Sequence, residues 1–149
     1  MSLKEITVDA TKENIPAVTD FVNEKLKVLN CPLKAQMQID IAIDELFGNI
    51  SNYAYSPDVG PATVRVEVEE DPVAVIITFI DGGRQFDPLS EKAPDVTLPA
   101  QERRIGGLGL FLVRKTMDEI TYEYRDGKNI LKVKKTIKPA SRIFSKMPE

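Results

Sequence analysis

Glu45 and Asn49 stand four positions apart in a stretch patterned as a helix, which at 3.6 residues per turn leaves them only about 40° apart on one face. Such a carboxylate can serve as a base. A carboxamide oxygen suits Mg2+, a hard cation that takes few protein ligands and keeps phosphates and water around it. Asp81 closes an apolar strand run and precedes Gly82-Gly83. An acceptor there can take a hydrogen bond from an adenine amino group, while the glycines tolerate positive φ and the close approach of a flat ring. Gly106-Gly107-Leu108-Gly109 opens a further helical stretch, where free N–H groups and the helix dipole favour phosphate. Arg103 and Arg104, just before it, add charge-assisted contacts to a terminal phosphate. A base at Glu45, a metal ligand at Asn49, an adenine reader at Asp81 with Gly83, and a cradle from Arg104, Gly106, Gly107, Leu108 and Gly109 together outline a site for ATP and Mg2+.

Each signal also has a plainer reading. Glu45 can be a solvated helix carboxylate, Asp81-Gly82 a strand-end turn, and the glycines a helix start that lacks both the lysine of a P-loop and the strand-first context of a dinucleotide fingerprint. Asp44 faces about 100° away from Glu45 and reads as surface. The nucleotide reading rests on the order of the three segments along one chain.

The elements that must hold these residues follow from periodicity. Lys4 to Asp9 alternates as an edge strand. Ile15, Val18, Val22, Leu26 and Leu29 then describe a helix, and Pro32 starts a second one predicted to end near Tyr55. Gly48 inside that helix implies close approach of a ligand or backbone, or tight helix packing. Ala62 to Glu69 alternates as a half-exposed strand, and Ala74 to Ile80 is the continuous apolar run of a central one. About twenty irregular residues after Asp81 read as a lid. Leu110 to Met117 is a third helix. Ile120 to Tyr124 and Ile130 to Thr136 form a hairpin through Asp126-Gly127. The expected fold is an α/β two-layer sandwich, a mixed sheet of about five strands with three helices on one face. Residues 1–138 are read as one domain and 139–149 as a tail.

Composition narrows the chemistry. The 149 residues are 42% hydrophobic and 29% charged with net charge −3, an ordinary globular balance without an electrostatic footprint for nucleic acid or membrane. Lys132, Lys134, Lys135 and Lys138 read as the solvated face of the last strand. A single cysteine, Cys31, excludes an internal disulfide, and with no secretory signal or long apolar span the expected location is cytoplasmic. The chain contains no histidine, which removes a histidine base, a histidine-bound metal and a phosphohistidine acceptor.

Together the three segments resemble the Bergerat-fold ATPases, the superfamily of gyrase and histidine-kinase ATP domains, and most closely the anti-sigma factor serine/threonine protein kinases. The likeness runs from about Ile15 to Thr136. Asp44-Glu45-Leu46-Phe47-Gly48-Asn49 is similar to the first family motif, Asp81-Gly82-Gly83 with Phe86-Asp87-Pro88 to the second, and Arg104 to Phe111 to the third; Met117-Asp118 also fits. Where many relatives carry glycine and histidine, this chain has Gln85 and Tyr53. The resemblance implies Glu45 as catalytic base, Asn49 as Mg2+ ligand, Asp81 as adenine contact and the glycines as phosphate turn. It also implies a sigma factor and an anti-anti-sigma antagonist as protein partners, with phosphate transferred to a serine or threonine of the antagonist. Relatives often form homodimers, for which the first strand and helix offer apolar residues. The competing readings are a non-catalytic ATP-dependent switch and a small interaction domain without nucleotide. A self-contained histidine kinase is disfavoured by the missing histidine and the short chain.

Overall fold

In the computed structural model residues 3–90 and 107–138 are described. Arg103, Arg104, Gly106, most of the expected lid and the 139–149 tail lie outside them.

The chain begins with strand β1 (Leu3–Asp9), then helices α1 (Ile15–Val28) and α2 (Leu33–Asn49), the latter prolonged by a π-helical turn over Ile50–Ala54. Strands β2 (Pro61–Glu69) and β3 (Ala74–Asp81) follow, then a short 3-10 turn at Pro88–Ser90, helix α3 (Gly107–Thr116) and strands β4 (Glu119–Arg125) and β5 (Lys128–Thr136). Helix α1 stops where Asn30 takes a left-handed conformation (φ 53°). Cys31 N–H then bonds to Leu26 C=O and Asn30 N–H to Lys27 C=O, the paired closure of a Schellman cap. Asp126 and Gly127 both adopt positive φ, 55° and 76°, as a tight hairpin with the strand twist requires.

The five strands lie in the order β1-β2-β3-β5-β4, and every neighbouring pair is antiparallel. The sheet is therefore not mixed, as the element order had suggested. β3-α3-β4 does run as a parallel crossover, but β5 returns between those two strands and pairs antiparallel with each. Val64, Val66, Val75, Ile77, Phe79, Leu131 and Val133 on one sheet face close a core with Val18, Val22 and Leu26 of α1, Ile39, Ile43, Leu46 and Phe47 of α2, and Leu110 and Val113 of α3. Each fully buried side chain of this size contributes about 1.5–3 kcal/mol relative to exposure. β3 is paired along both edges as the middle strand of five, and every one of its residues is buried except the half-buried Ile80.

The other face is polar. Arg65 Nε donates to Glu5 Oε1 at 2.8 Å, and Lys134 pairs with Glu69 and Glu119. The lysine cluster divides: Lys132 and Lys134 belong to this face, whereas Lys135 Nζ donates to Thr116 C=O (2.7 Å) and caps the end of α3. Asp118, which follows α3, accepts from Thr136 N–H while its own N–H reaches Lys134 C=O, so it locks the start of β4 onto β5.

Candidate functional site

α2 carries Glu45 and Asn49 on its side toward α3, and β3 delivers Asp81 at its C-terminal end, where the sheet meets the π-helical turn. Between them opens a pocket lined by Asn49, Ile50 and Tyr53 from the helical side, Phe79 and Asp81 from β3, Phe86 and Pro88 from the loop, and Tyr122, Asn129 and Leu131 from the last two strands. Apolar walls with a few convergent polar groups are the usual make-up of a small-molecule site. Tyr53 and Phe86 meet across the mouth, ring centroids 6.1 Å apart and planes tilted by 38°.

The helix does not run unbroken to Tyr55 as its pattern predicts. Its last turn widens to π geometry, a feature that recurs at functional sites. That turn brings Ala54 C=O onto the β3 exit, where Arg84 N–H bonds to it at 2.9 Å. Gly83 is the residue that permits this: a Cβ there would overlap the Ala54 carbonyl oxygen and lie 2.5 Å from its carbon. Neither Gly82 nor Gly83 has positive φ, so close approach rather than unusual backbone is what Gly83 supplies. Tyr55 ties the same corner, its hydroxyl donating to Pro61 C=O (2.6 Å) and accepting from Gly82 N–H (2.8 Å) while its ring covers Gly60.

Asp81 is 5% exposed. Its Oδ1 accepts from Gly83 N–H (2.9 Å) and from Asn129 Nδ2 (3.0 Å). Asn129 faces it directly in the β3–β5 register. Asn129 Nδ2 also donates to Arg84 C=O (2.9 Å), and its Oδ1 accepts from Phe86 N–H (3.1 Å) and the Tyr122 hydroxyl (2.5 Å). Asp87 organises the loop further, its Oδ1 accepting from Leu89 N–H.

Glu45 and Asn49 lie on one side of α2, as their spacing required. Burial pushes the Glu45 carboxyl above its ordinary value, Asp44 beside it adds to the rise, and the nearby Asn49 amide opposes it. Asp44 itself is exposed. Glu45 is not among the pocket-lining side chains. It lies against Gly109 of α3, and its Oε2 is buried without a hydrogen-bond partner among the described residues.

Of the residues read from the sequence, Glu45, Asn49, Asp81, Gly83 and Gly109 thus converge on the region between α2, α3 and the end of β3. Gly107 and Leu108 form the first turn of α3, which begins three residues before the expected Leu110. Arg104 and Gly106 are outside the described residues. Gly48 has nothing within 4 Å of a Cβ built on it, so neither packing nor another backbone explains it. Asn129, Tyr122 and Tyr55 were missed. For Asn129 a signal existed: it shares the inward parity of Leu131 and Val133, and a polar residue at a core position requires partners.

The model of the histidine kinase-like ATPase domain family matches residues 8–135. Among curated relatives, the serine/threonine-protein kinase BtrW of Bordetella bronchiseptica is 28% identical over 98 residues, 66% of this chain and 68% of that one. The serine-protein kinase RsbW of Bacillus cereus (strain G9842) is 34% identical over 98 residues, 63% of this chain and 60% of that protein. This chain thus matches about three fifths of the length of the RsbW relatives. Among solved structures, that of the RsbU and RsbW domains of Rv1364c from Mycobacterium tuberculosis superposes with a TM-score of 0.65 at 19% identity, covering 92% of this chain and 33% of that one. The shared fold is thereby shown.

Proposed function

Since this chain belongs to the histidine kinase-like ATPase domain family, we propose that it binds ATP between α2 and the end of β3 and acts as an anti-sigma factor serine/threonine protein kinase. The observation that carries the reading is a pocket that joins Asn49 of α2 to Asp81 of β3. Asp81 presents an acceptor at the deep end for an adenine amino group, and apolar Phe79, Ile50 and Leu131 suit the faces of a base. Phosphates then extend toward Asn49 and the first turn of α3, where free N–H groups favour anions.

Asn49 fits an Mg2+ ligand. It lines the pocket and its carboxamide offers one hard oxygen, which is all that an ion held mainly by phosphates asks of the protein. When bound, Mg2+ would neutralise charge on the nucleotide's phosphates. Glu45 is the base of the proposed transfer. The antagonist's serine or threonine oxygen bonds to the γ-phosphorus, the bond from that phosphorus to the bridging oxygen breaks, ADP leaves, and the hydroxyl proton passes to Glu45. A raised carboxyl affinity for protons suits that acceptor role. The likeness to RsbW and BtrW supports a sigma factor and an anti-anti-sigma protein as partners.

One observation favours a second reading, an ATP-dependent binding switch that transfers no phosphate: Glu45 is packed on Gly109 rather than open to the pocket. Calorimetric titration of Mg-ATP into wild type, Asp81→Asn and Asn49→Ala tests the site, which requires binding in the first and its loss in the others. Transfer of labelled γ-phosphate to a candidate antagonist, absent in Glu45→Ala, separates kinase from switch.

A further inference from the structure

We infer that Asn129 is a positioning residue for nucleotide recognition, and that Tyr122 fixes the sense of its amide. This rests on the assignment of ATP to the pocket. Asn129 is 6% exposed, and its carboxamide uses its full capacity: two donated bonds, to Asp81 Oδ1 and Arg84 C=O, and two accepted ones, from Phe86 N–H and the Tyr122 hydroxyl. Rotating the amide by half a turn would set its NH2 against two donors and its oxygen against a carboxylate and a carbonyl. The surroundings therefore dictate one orientation, with NH2 toward Asp81.

The consequence falls on Asp81. Gly83 N–H and Asn129 Nδ2 both converge on Oδ1, and no bond among the described residues engages Oδ2. Asn129 thus turns the carboxyl so that its second oxygen is the one presented to a base, as an acceptor suited to the amino group of adenine and unsuited to the carbonyl of guanine. The same side chain pins Arg84 and Phe86, two of the pocket's lining residues, to the sheet. A residue that merely filled space would need none of these four pairings.

Asn129→Asp separates orientation from packing. Its shape is nearly unchanged, but two carboxyls now face each other across the β3–β5 pair. At high pH their repulsion drives Asp81 from its place. At low pH a shared proton restores the donor toward Asp81, while the Arg84 carbonyl that the amide also served lacks that partner at either pH. The charged or titratable groups around the pair are Arg84 and Asp87 of the loop, Tyr55 after α2, Tyr122 and Tyr124 of β4, and Lys128 beside Gly82; the chain has no histidine to titrate in the same range.

The experiment is calorimetric titration of Mg-ADP and Mg-GDP into wild type, Asn129→Asp and Tyr122→Phe at about pH 5.5 and about pH 8, each affinity taken relative to wild type at the same pH so that nucleotide protonation cancels. Asn129→Asp is expected to bind ADP about thirtyfold more weakly than wild type at the higher pH and within about threefold at the lower. Tyr122→Phe, which removes one of the two donors that hold the amide's sense, is expected to lower the ADP over GDP preference about threefold with little change in melting temperature. A relative affinity of Asn129→Asp that does not change with pH overturns the inference, whether it is equal to wild type or uniformly weak. So does a Tyr122→Phe preference equal to wild type. A wild-type chain that binds neither nucleotide at either pH overturns the ATP assignment itself, and the inference with it.

Discussion

The Cα of Gly109 lies directly against the Glu45 carboxylate: a Cβ built on Gly109 would overlap Oε1 and stand 2.6 Å from Cδ. The third glycine motif and the proposed base are thus in contact across the α2–α3 seam. Gly109→Ala is expected to displace Glu45. Phosphate transfer should fall on the order of a hundredfold while Mg-ATP affinity changes much less, because a small misplacement of a catalytic group costs rate before binding. Single-turnover transfer measured beside calorimetry checks this, and unchanged transfer would show that the contact is incidental.

Glu45→Gln should abolish transfer and stabilise the fold at alkaline pH. Burial raises the proton affinity of the folded carboxyl above its unfolded value. The group's contribution to stability is then fully present below the unfolded value and is lost as pH rises through the folded one. A glutamine is indifferent to this, so the melting temperature of the variant should exceed wild type by about 2 °C at neutral to alkaline pH and converge with it in acid. Parallel thermal melts across that range decide it, and a difference independent of pH would contradict the assigned cause.

Gly48 and Gly83 make opposite demands. Nothing lies within 4 Å of a Cβ at Gly48, so Gly48→Ala should stabilise the protein by up to about 1 kcal/mol through helix propensity alone. Gly83→Ala drives a methyl group into the Ala54 carbonyl and should cost about 2 kcal/mol, with weaker nucleotide binding as the β3 exit parts from the π-helical turn. Denaturant melts of the two variants should move in opposite directions.

Tyr55→Phe removes the hydroxyl that joins Gly82 N–H to Pro61 C=O. The loss is expected to be about 1–2 kcal/mol, or roughly 3–6 °C in melting temperature, since two backbone groups lose a partner at once. Differential scanning calorimetry measures it directly, and a variant as stable as wild type would mean that water replaces the hydroxyl without cost.

Local patterns made much of this molecule legible. β1 to β3, the β4–β5 hairpin and all three helices follow from the periodicity of apolar residues and from the breaks at Pro32 and Asp126-Gly127, because these depend on neighbours a few positions away. The Glu45–Asn49 pair was equally readable, since helical geometry alone places both on one face. Asp81 at the end of a buried strand and the glycine-led start of α3 were identified by the same local logic.

What sequence could not supply depends on pairings between distant segments. The return of β5 between β3 and β4 makes the sheet antiparallel and sets Asn129 opposite Asp81, forty-eight positions away in the chain. The π-helical turn ends at Ala54, whose backbone meets Gly83, a contact between residues twenty-nine positions apart that periodicity does not register. The amino-acid sequence by itself determined which residues carry acid, amide and glycine chemistry and which elements bear them, because side-chain type and period are local properties. Only the tertiary structure decided how Glu45 lies on Gly109, which oxygen of Asp81 is held, and that Asn129 and Tyr55 close the corner, because those choices are fixed by packing and hydrogen-bond satisfaction among parts of the chain that meet only on folding.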